Sequence, residues 1–316
     1  MGQGGARAHA GDHLTAVSVV TIAWRNEQHA AGFADSLAAA EGSRAQLVVV
    51  VNGDEGEKAA AIVRSRLPAD LVRLDANTGF SGGANAGAAR ATGDIVVVAN
   101  LDLQFDRRFF AVLEREAAAE WDLLVPRVRQ GPAGRDEGVS RRTASHRLAW
   151  VTRPPVTATR VGGGNGACLI LRRATLDRRA AGIGALFDPE YHSFNEDIDL
   201  FWWAEREGLV VRYVPDLEVR HALAGSFEGA HKFRDRPPEV QRRVMANYRV
   251  TVWKNARGRE WLGWPLGEAV YAAQALVFAG AGGVKRYAAS WSDSVRTASA
   301  IRARRGRLRT PVNRPE

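Results

Sequence analysis

The sequence predicts an α/β protein with a doubly wound, mostly parallel sheet (Rossmann-like) and a C-terminal helical extension. Short valine-rich apolar runs alternate with segments of helix-forming composition, and the first three runs cover residues 17–22, 47–51 and 95–98. Glycine-rich or acidic motifs follow several of these runs. The last part of the chain loses this alternation and mixes arginines with aromatic residues. Folds of this class bind ligands at the carboxyl ends of their strands.

The individual elements follow from spacing and from helix-ending residues. In the first helix Phe33 and Leu37 recur at helical spacing, Pro68 ends the second, and Gly208 suits the end of the fourth. The predicted helices cover residues 27–40, 55–67, a small-residue stretch ending at 90, and 195–207. The further predicted strands cover residues 71–74, 167–171 and 209–214. The arginine-rich middle, residues 127–160, is predicted to be loop.

Three regions are predicted along the 316 residues: a disordered N-terminus over 1–14, an α/β domain over 15–230, and a basic, aromatic-rich helical region over 231–316. The N-terminus lacks the apolar core of a secretory signal. The single cysteine, Cys168, excludes an intrachain disulfide and a cysteine-rich zinc site, which favours the cytoplasm. The longest uncharged apolar run, residues 269–284, is interrupted by Gln274 and three glycines and is too short to cross a bilayer.

The net charge of +9 allows two interpretations. The arginines indicate an anionic partner such as phosphate or a lipid surface, or they are simply solvated. Nucleic acid is not expected because no nucleic-acid-binding motif accompanies the charge. The aromatic residues of the last region suit a helix pair on the inner face of the plasma membrane or a helical cap packed on the core. These aromatic residues are Trp253, Trp261, Trp264, Tyr271, Phe278, Tyr287 and Trp291.

Two motifs lie where phosphates and a metal would bind. Residues 77–87 combine four glycines with two asparagines ahead of a helix, and such a helix start can hold a phosphate or merely pack tightly on the sheet. The strand over 95–98 ends in Asn100 and Asp102. A carboxylate there suits Mg²⁺ or Mn²⁺, which take their remaining ligands from water and substrate phosphates, although aspartate also fills ordinary turns.

Acidic residues and one histidine complete the set of candidate residues. Glu196, Asp197 and Asp199 stand within four residues at a predicted helix start, and a positioned carboxylate can deprotonate a hydroxyl. The helix dipole alone explains one or two of them. His221 follows a strand and is either a structural residue or a metal ligand.

Taken in order, these segments resemble the inverting family 2 glycosyltransferases of GT-A fold, in particular their bacterial rhamnosyltransferase-like branch. The resemblance covers residues 17–226. Its most specific part is the stretch Asn-x-Gly-Phe-x-x-Gly-x-Asn-x-Gly, which residues 77–87 match. The Asn100-Leu-Asp102 segment resembles the metal motif of that branch, and residues 196–200 resemble its Glu-Asp motif.

The resemblance implies a nucleoside-diphosphate sugar donor and a glycan, lipid-linked or small-molecule hydroxyl acceptor. By this resemblance the donor is dTDP-rhamnose or a UDP-sugar, and the product belongs to a cell-envelope polysaccharide, a glycolipid or a glycosylated metabolite. The implied donor-binding residues are Trp24, Asn26, Asn52, Asn77, Gly79, Phe80, Asn85 and Asn100. The implied acceptor-binding residues are Gly163, Gly164 and Asp199.

The resemblance also assigns the chemistry. Asp197, next to Glu196, is the implied catalytic base, and Asp102 and His221 are the implied ligands of Mg²⁺ or Mn²⁺. The acceptor oxygen would attack the anomeric carbon opposite the leaving diphosphate, with inversion. Two alternatives remain. One is a nucleotidyltransferase, but the glycine-rich loop that such an enzyme carries after its first strand is missing from this sequence. The other is a non-catalytic basic protein that docks on membranes.

Overall fold

The computed structural model describes residues 16–131, 134–222 and 233–309. The N-terminus predicted to be disordered and Gly225-Ser226 lie outside these ranges. The strands are β1 Val17–Ala23, β2 Gln46–Asn52, β3 Asp70–Leu74, β4 Ile95–Ala99, β5 Leu103–Phe105, β6 Leu123–Gln130, β7 Arg135–Asp136, β8 Ser140–Arg142, β9 Leu148–Trp150, β10 Thr159–Arg160, β11 Cys168–Arg172 and β12 Val211–His221. The α-helices are α1 Glu27–Ala39, α2 Glu57–Arg64, α3 Gly79–Arg90, α4 Phe109–Glu116, α5 Arg173–Ile183, α6 Glu196–Arg206, α7 Pro238–Asn255 and α8 Trp264–Arg309.

One ten-stranded sheet organises the fold, and it confirms the predicted α/β class. Its first half is parallel in the order β3-β2-β1-β4, with Val20 of β1 opposite Val48 of β2 and Val98 of β4. The antiparallel strand β11 joins β4 to a second parallel pair, β6 and β12. The carboxyl ends of β1, β2 and β4 therefore meet at one edge of the sheet.

The sheet is covered on both faces, as a doubly wound fold requires. Val19 of β1 packs with Phe33 of α1 in a core that also includes α2 and α4. Val20, the next residue of the same strand, points to the opposite face and joins the core formed with α3, α5 and α6. Because neighbouring strand residues point to opposite faces, the continuous valine runs of the sequence fill both cores.

The prediction that residues 127–160 form a loop is wrong. Strand β6 runs to Gln130 in the middle of the sheet, and β8 and β9 form a separate hairpin. Pro126 and the alternating arginines of β6 disfavour a central strand, since proline has no N–H to donate. The sheet accommodates Pro126 at an irregularity, where the pairing of β6 with β12 shifts between Val214 and Glu218.

The C-terminal helices α7 and α8 pack together around a buried arginine. Arg249 of α7 is 0% exposed, and its guanidinium bonds Glu268 at 2.9–3.0 Å and Ser290 at 2.7 Å, both on α8. Its guanidinium carbon also lies 4.2 Å from the ring centre of Trp291. Over the residues that the structure describes, no helix combines the length and the apolar character needed to cross a membrane.

We expect Arg249→Met to lower the free energy of unfolding by about 3–5 kcal/mol, because it leaves the carboxylate of Glu268 without its buried partner. Urea unfolding followed by circular dichroism measures this loss. Arg242→Met is the matched control on the same helix, since Arg242 pairs with Asp293 but is 47% exposed, and we expect it to cost at most about 1 kcal/mol. Equal losses for the two variants would contradict the role of Arg249.

Candidate active site

The turn that follows β1 is built by Asn26. Its side-chain oxygen accepts a hydrogen bond from the Trp24 amide at 3.0 Å, and its side-chain nitrogen donates to the carbonyl of Ile22 at 3.2 Å. These bonds support Arg25 in a left-handed conformation with φ of 49°. The Arg25 guanidinium covers the Trp24 ring at 5.1 Å. Trp24 is thereby placed at the carboxyl end of β1.

Asn52 at the end of β2 organises the glycine-rich segment. Its side-chain nitrogen donates to Asn77 Oδ1 and to the carbonyl of Gly79, both at 3.1 Å, and its oxygen accepts from the amide of Thr78 at 2.9 Å. Asn77 Oδ1 also accepts from the Gly79 amide at 2.8 Å. Asn52 is 2% exposed, so in this structure its amide group holds the loop before α3.

Helix α3 is tied to the segment that precedes α6. Gly79 has φ of +74°, and a Cβ there would lie 2.2 Å from the carbonyl oxygen of His192, so this position requires glycine. The Ser81 amide donates to the same carbonyl at 2.9 Å. Asn85 exchanges two hydrogen bonds with the backbone of Phe187, at 2.8 and 2.9 Å, and the Phe80 ring lies 5.9 Å from that of Phe187. The predicted donor loop and the predicted base loop are therefore in contact.

Asp102 and His221 lie side by side, although 119 positions separate them in the sequence. The loop after β4 is fixed by a hydrogen bond from the Asn100 amide to the carbonyl of Ala167, at 2.9 Å. Strand β5 then pairs with the end of β12, which sets Leu103 opposite His221. As a result His221 Nε2 lies 3.1 Å from Asp102 Oδ2.

This pair fits a divalent cation. Two cis ligands at about 2.1 Å in an octahedron are about 3.0 Å apart, close to the 3.1 Å between His221 Nε2 and Asp102 Oδ2. The two side chains are 15% and 8% exposed, so they reach the surface only at this edge. Within the described ranges no group of three or more histidine, cysteine or acidic side chains could hold a metal. A cation held here would take its other ligands from water or a substrate phosphate.

The first two acids of α6 form a carboxylate pair with raised pKa values. Burial raises the pKa of Asp197, although backbone N–H groups, including that of Gly166, oppose this shift. Burial and the nearby charge of Asp197 raise the pKa of Glu196 well above its usual range. Glu196 Oε2 is buried and has no hydrogen-bond partner among the described residues. Burial therefore disfavours the ionised form of both carboxyls.

A short path of contacts connects Asp197 to the pair of Asp102 and His221. A Cβ at Gly166 would lie 2.8 Å from Asp197 Oδ2, so the carboxylate rests against the backbone of that glycine. The next residue, Ala167, accepts the hydrogen bond from Asn100. Asp102 follows Asn100 by two positions in the sequence. The carboxylate of Asp197 and the candidate cation site are therefore linked through two adjoining loops.

Asp199, the third acid of α6, faces away from these two. It is 1% exposed, and its oxygens accept from Arg179 at 2.5 Å, Lys254 at 2.7 Å and Asn255 at 2.7 Å. Burial alone would raise the pKa of Asp199, but the charges of Lys254 and Arg179 outweigh it and lower that pKa. Lys254 and Arg305 also pair with the fully buried Asp188. In this structure Asp199 anchors α6; its predicted contact with an acceptor stays a prediction.

The two glycines predicted on the acceptor side lie beside α6. The carbonyls of Gly163 and Gly164 accept hydrogen bonds from the backbone and the side chain of Ser140, at 3.1 and 2.9 Å. Gly163 lines a surface cleft together with Ile198 and Phe201 of α6. Its lining includes Ile198, the residue that follows Asp197 in the sequence.

Asn247 is a candidate positioning residue that the sequence did not reveal. It is 2% exposed on α7, and its side-chain nitrogen donates to the carbonyls of Tyr191, Ser193 and Phe194, each at 2.9 Å. These carbonyls belong to the loop before α6, where three residues without glycine's freedom take positive φ values of 59–73°, namely His192, Phe194 and Asn195. No local pattern links Asn247 to this loop, since more than fifty positions separate them.

Comparison with known proteins agrees with this geometry. The sequence model of the family described as glycosyl transferase family 2 matches residues 18–179, just over half of the chain. An N-acetylglucosaminyl-diphospho-decaprenol L-rhamnosyltransferase of Mycobacterium tuberculosis, found in strains CDC 1551 and H37Rv, is 27% identical over 240 residues, covering 66% of this chain and 76% of that protein.

Three solved structures share the fold. The mannosyltransferase PcManGT of Pyrobaculum calidifontis with GDP-Man and Mn²⁺ has a TM-score of 0.54 at 16% identity. The match covers 94% of this chain and 81% of the PcManGT chain. Staphylococcus aureus TarS 1–349 with UDP has a TM-score of 0.55 at 14% identity and covers 94% of both chains. GalNAc-T7 with UDP, GalNAc and Mn²⁺ has a TM-score of 0.56 at 15% identity and covers 77% of this chain; the chain spans 48% of that structure.

The sheet is covered by helices on both faces and carries polar residues at the carboxyl ends of its strands. This fold is that of a GT-A glycosyltransferase. The chain belongs to glycosyl transferase family 2, which confirms the family predicted from the sequence motifs. Family membership also favours glycosyl transfer over the nucleotidyltransferase and the non-catalytic protein weighed above.

We expect Asn247→Asp to lower kcat at least about tenfold, because a carboxylate cannot donate to the three carbonyls and the loop before α6 shifts. The same loop accepts the hydrogen bond from the Ser81 amide at the start of α3, so donor affinity measured by calorimetry should also fall, but by less than kcat. Glu239→Gln, an exposed position on the same helix, is the control. An equal loss of kcat and donor affinity, or no loss, would contradict this positioning role.

Proposed function

We propose that this glycosyltransferase moves a sugar from a nucleoside-diphosphate sugar to a hydroxyl of a lipid-linked acceptor, with inversion at the anomeric carbon and with a divalent metal. The observation that carries the proposal is the path of contacts from Asp197 through Gly166 and Asn100 to Asp102 and His221. This path links a carboxylate with a raised pKa to the two side chains proposed as cation ligands. A base for the acceptor hydroxyl and positive charge at the leaving diphosphate both favour transfer from a diphosphate.

Asp197 is the proposed base. One of its oxygens takes the proton from the acceptor hydroxyl while the acceptor oxygen forms a bond to the anomeric carbon. The bond from that carbon to the phosphate oxygen breaks on the opposite face, and the nucleoside diphosphate leaves with the electron pair. The configuration inverts, and no covalent enzyme intermediate is required. Burial and the charge of Asp197 raise the pKa of Glu196, so Glu196 does not ionise easily while Asp197 is ionised, and Asp197 is the proposed proton acceptor.

Asp102 and His221 are the proposed metal ligands. When Mg²⁺ or Mn²⁺ is bound, it supplies positive charge that stabilises the departing diphosphate. Two of the solved structures with the same fold carry Mn²⁺ with a nucleotide or nucleotide sugar, which supports the assignment. The loop before α3, held by Asn52 and Asn77, would face the donor, with Trp24 near the nucleobase. dTDP-rhamnose and UDP-sugars are the proposed donors.

The acceptor would approach through the cleft beside Gly163 and Ile198. The name of the mycobacterial relative describes transfer to a sugar on a diphospho-decaprenol, which supports a lipid-linked acceptor in cell-envelope synthesis here. On this proposal the enzyme works at the cytoplasmic face of the membrane that holds the acceptor. A thermal-shift screen of thymidine, uridine and guanosine diphosphate sugars with Mn²⁺ would identify the donor, since a bound ligand stabilises the folded protein.

We expect Asp197→Asn to lower kcat by about 10²–10⁴-fold, because the amide cannot take the acceptor's proton. Glu196→Gln is the matched control: it mimics a protonated glutamate, so its kcat should stay within about tenfold of the unaltered enzyme. Transfer is measured with the donor found in the thermal-shift screen. Retained turnover in Asp197→Asn, or a larger loss in Glu196→Gln, would refute the base assignment.

The pH dependence of kcat tests the role of the Asp197 carboxyl independently. The base works in its ionised form, so activity is lost as the pH falls through the pKa of Asp197. Because burial raises that pKa, the acid limb of kcat should lie above the ordinary aspartate value of 3.8. This limb should vanish from the residual activity of Asp197→Asn, and its persistence would point to another base.

We expect Asp102→Ala to abolish the Mn²⁺-dependent part of donor affinity, measured by calorimetry with and without the metal. Asp94→Ala serves as the control, since Asp94 is exposed at the opposite end of the same strand, β4. The metal role of Asp102 would be wrong if its variant bound the donor as the unaltered protein does, with the same gain on adding Mn²⁺.

A further inference from the structure

Most of the described aromatic residues of the C-terminal region pack between its helices, although Trp261, just before α8, is 39% exposed. Trp264 lies 6.4 Å from Trp253 and 6.0 Å from Trp291, and Tyr248 lies 5.1 Å from Tyr271, measured between ring centres. These rings pack α7 against α8, as in the helical-cap interpretation. The side chain of Phe278 lies outside the described part of the chain. The outer face of α8 is therefore formed by other residues.

That outer face carries a line of exposed aliphatic side chains. Leu266, Val277, Val284 and Val295 are 59%, 69%, 46% and 56% exposed. With the exposed alanines 273 and 288 they follow one another at intervals of seven and four residues. We call these six residues the α8 stripe. Such large aliphatic side chains are rarely left in water along a whole helix without a partner.

The α8 stripe is straight. An α-helix turns about 100° per residue, so intervals of seven and four keep all six residues within a sector of about 60°. At about 1.5 Å per residue the stripe from Leu266 to Val295 is about 44 Å long. Leu262 and Leu276, which are 75% and 62% exposed, add further apolar surface near its first half.

The charges along α8 identify the partner. Among the described side chains of this helix, the fully exposed charged ones are all cations: Lys285, Arg296 and Arg302. Of its two acids, Glu268 bonds the buried Arg249, and Asp293 pairs both with Arg242, at 2.6 Å, and with Arg296. A straight apolar line flanked by cations is the pattern of a helix that lies in the interface of an anionic membrane.

We propose that α8 binds the surface of an anionic lipid membrane through this stripe, lying parallel to the surface with Lys285 and Arg296 at the headgroups. The stripe dips into the outermost part of the acyl region and does not cross it. A second copy of the chain fits less well, because a two-fold pairing of this face would bring the cations of both copies together. The inference needs no particular donor or acceptor, so it stands or falls apart from the proposed transfer reaction.

The test is co-sedimentation of the full-length protein with vesicles of phosphatidylcholine alone or mixed with phosphatidylglycerol. We expect binding to the anionic vesicles, and at least about tenfold weaker partitioning for the double variant Val277→Ser with Val284→Ser, because it removes the apolar groups from the stripe. Val156→Ser is the matched control, since Val156 is 85% exposed on a distant loop, and its partitioning should stay within about twofold.

Reversal of the flanking charges separates the two contributions. Lys285→Glu with Arg296→Glu should abolish the preference for anionic vesicles. Equal sedimentation of the unaltered and the serine double variant would overturn the proposal, as would equal binding to both kinds of vesicle. Light scattering on the unaltered protein provides the last check: a dimer that the serine double variant dissociates, without vesicle binding, would make this face a self-association surface instead.

Discussion

The buried ion cluster around Asp188 and Asp199 is the constraint on which the site depends. Asp199 is held by Arg179 of α5 and Lys254 of α7, and Lys254 also reaches Asp188, which Arg304 and Arg305 of α8 approach from the end of the chain. Charges without water are tolerated only when they are paired. Four helices must therefore take one mutual arrangement, and α6, with its other acids, takes its place from that arrangement.

The cluster also separates three neighbouring acids into different roles. Lys254 and Arg179 keep Asp199 ionised, whereas no cation among the described residues lowers the pKa of Glu196 or Asp197, and burial raises the pKa of both. One helix thus carries a carboxylate that is held by cations and a pair with raised pKa values, of which Asp197 lies against Gly166. The left-handed residues before this helix are costly, and Asn247 offsets that cost by donating to three carbonyls of the loop.

The sequence predicted well what depends on short-range pattern. Valine runs marked β1, β2 and β4, and the spacing of Asn77 and Asn85 marked the loop and helix that face the segment before α6. It failed where tertiary contacts override propensity, as in β6, where Pro126 and alternating arginines concealed a central strand. The sequence also did not show how Asp199 is neutralised, because its cations come from α5 and α7. Asn247 was invisible for the same reason: its partners are set by folding, not by spacing.

The contacts of Asn247 limit how the chain can be divided into working fragments. Residues 18–179, which match the family description, contain Asp102 and the glycine-rich segment but neither α6 nor α7. Asp197, the proposed base, and Asn247, which donates to the loop before α6, lie on opposite sides of residues 223–232 in the sequence. If these assignments hold, two fragments separated within that interval would each lack part of the site, and turnover would report on their reassembly. The C-terminal helices would then contribute to the chemistry as the strand ends do.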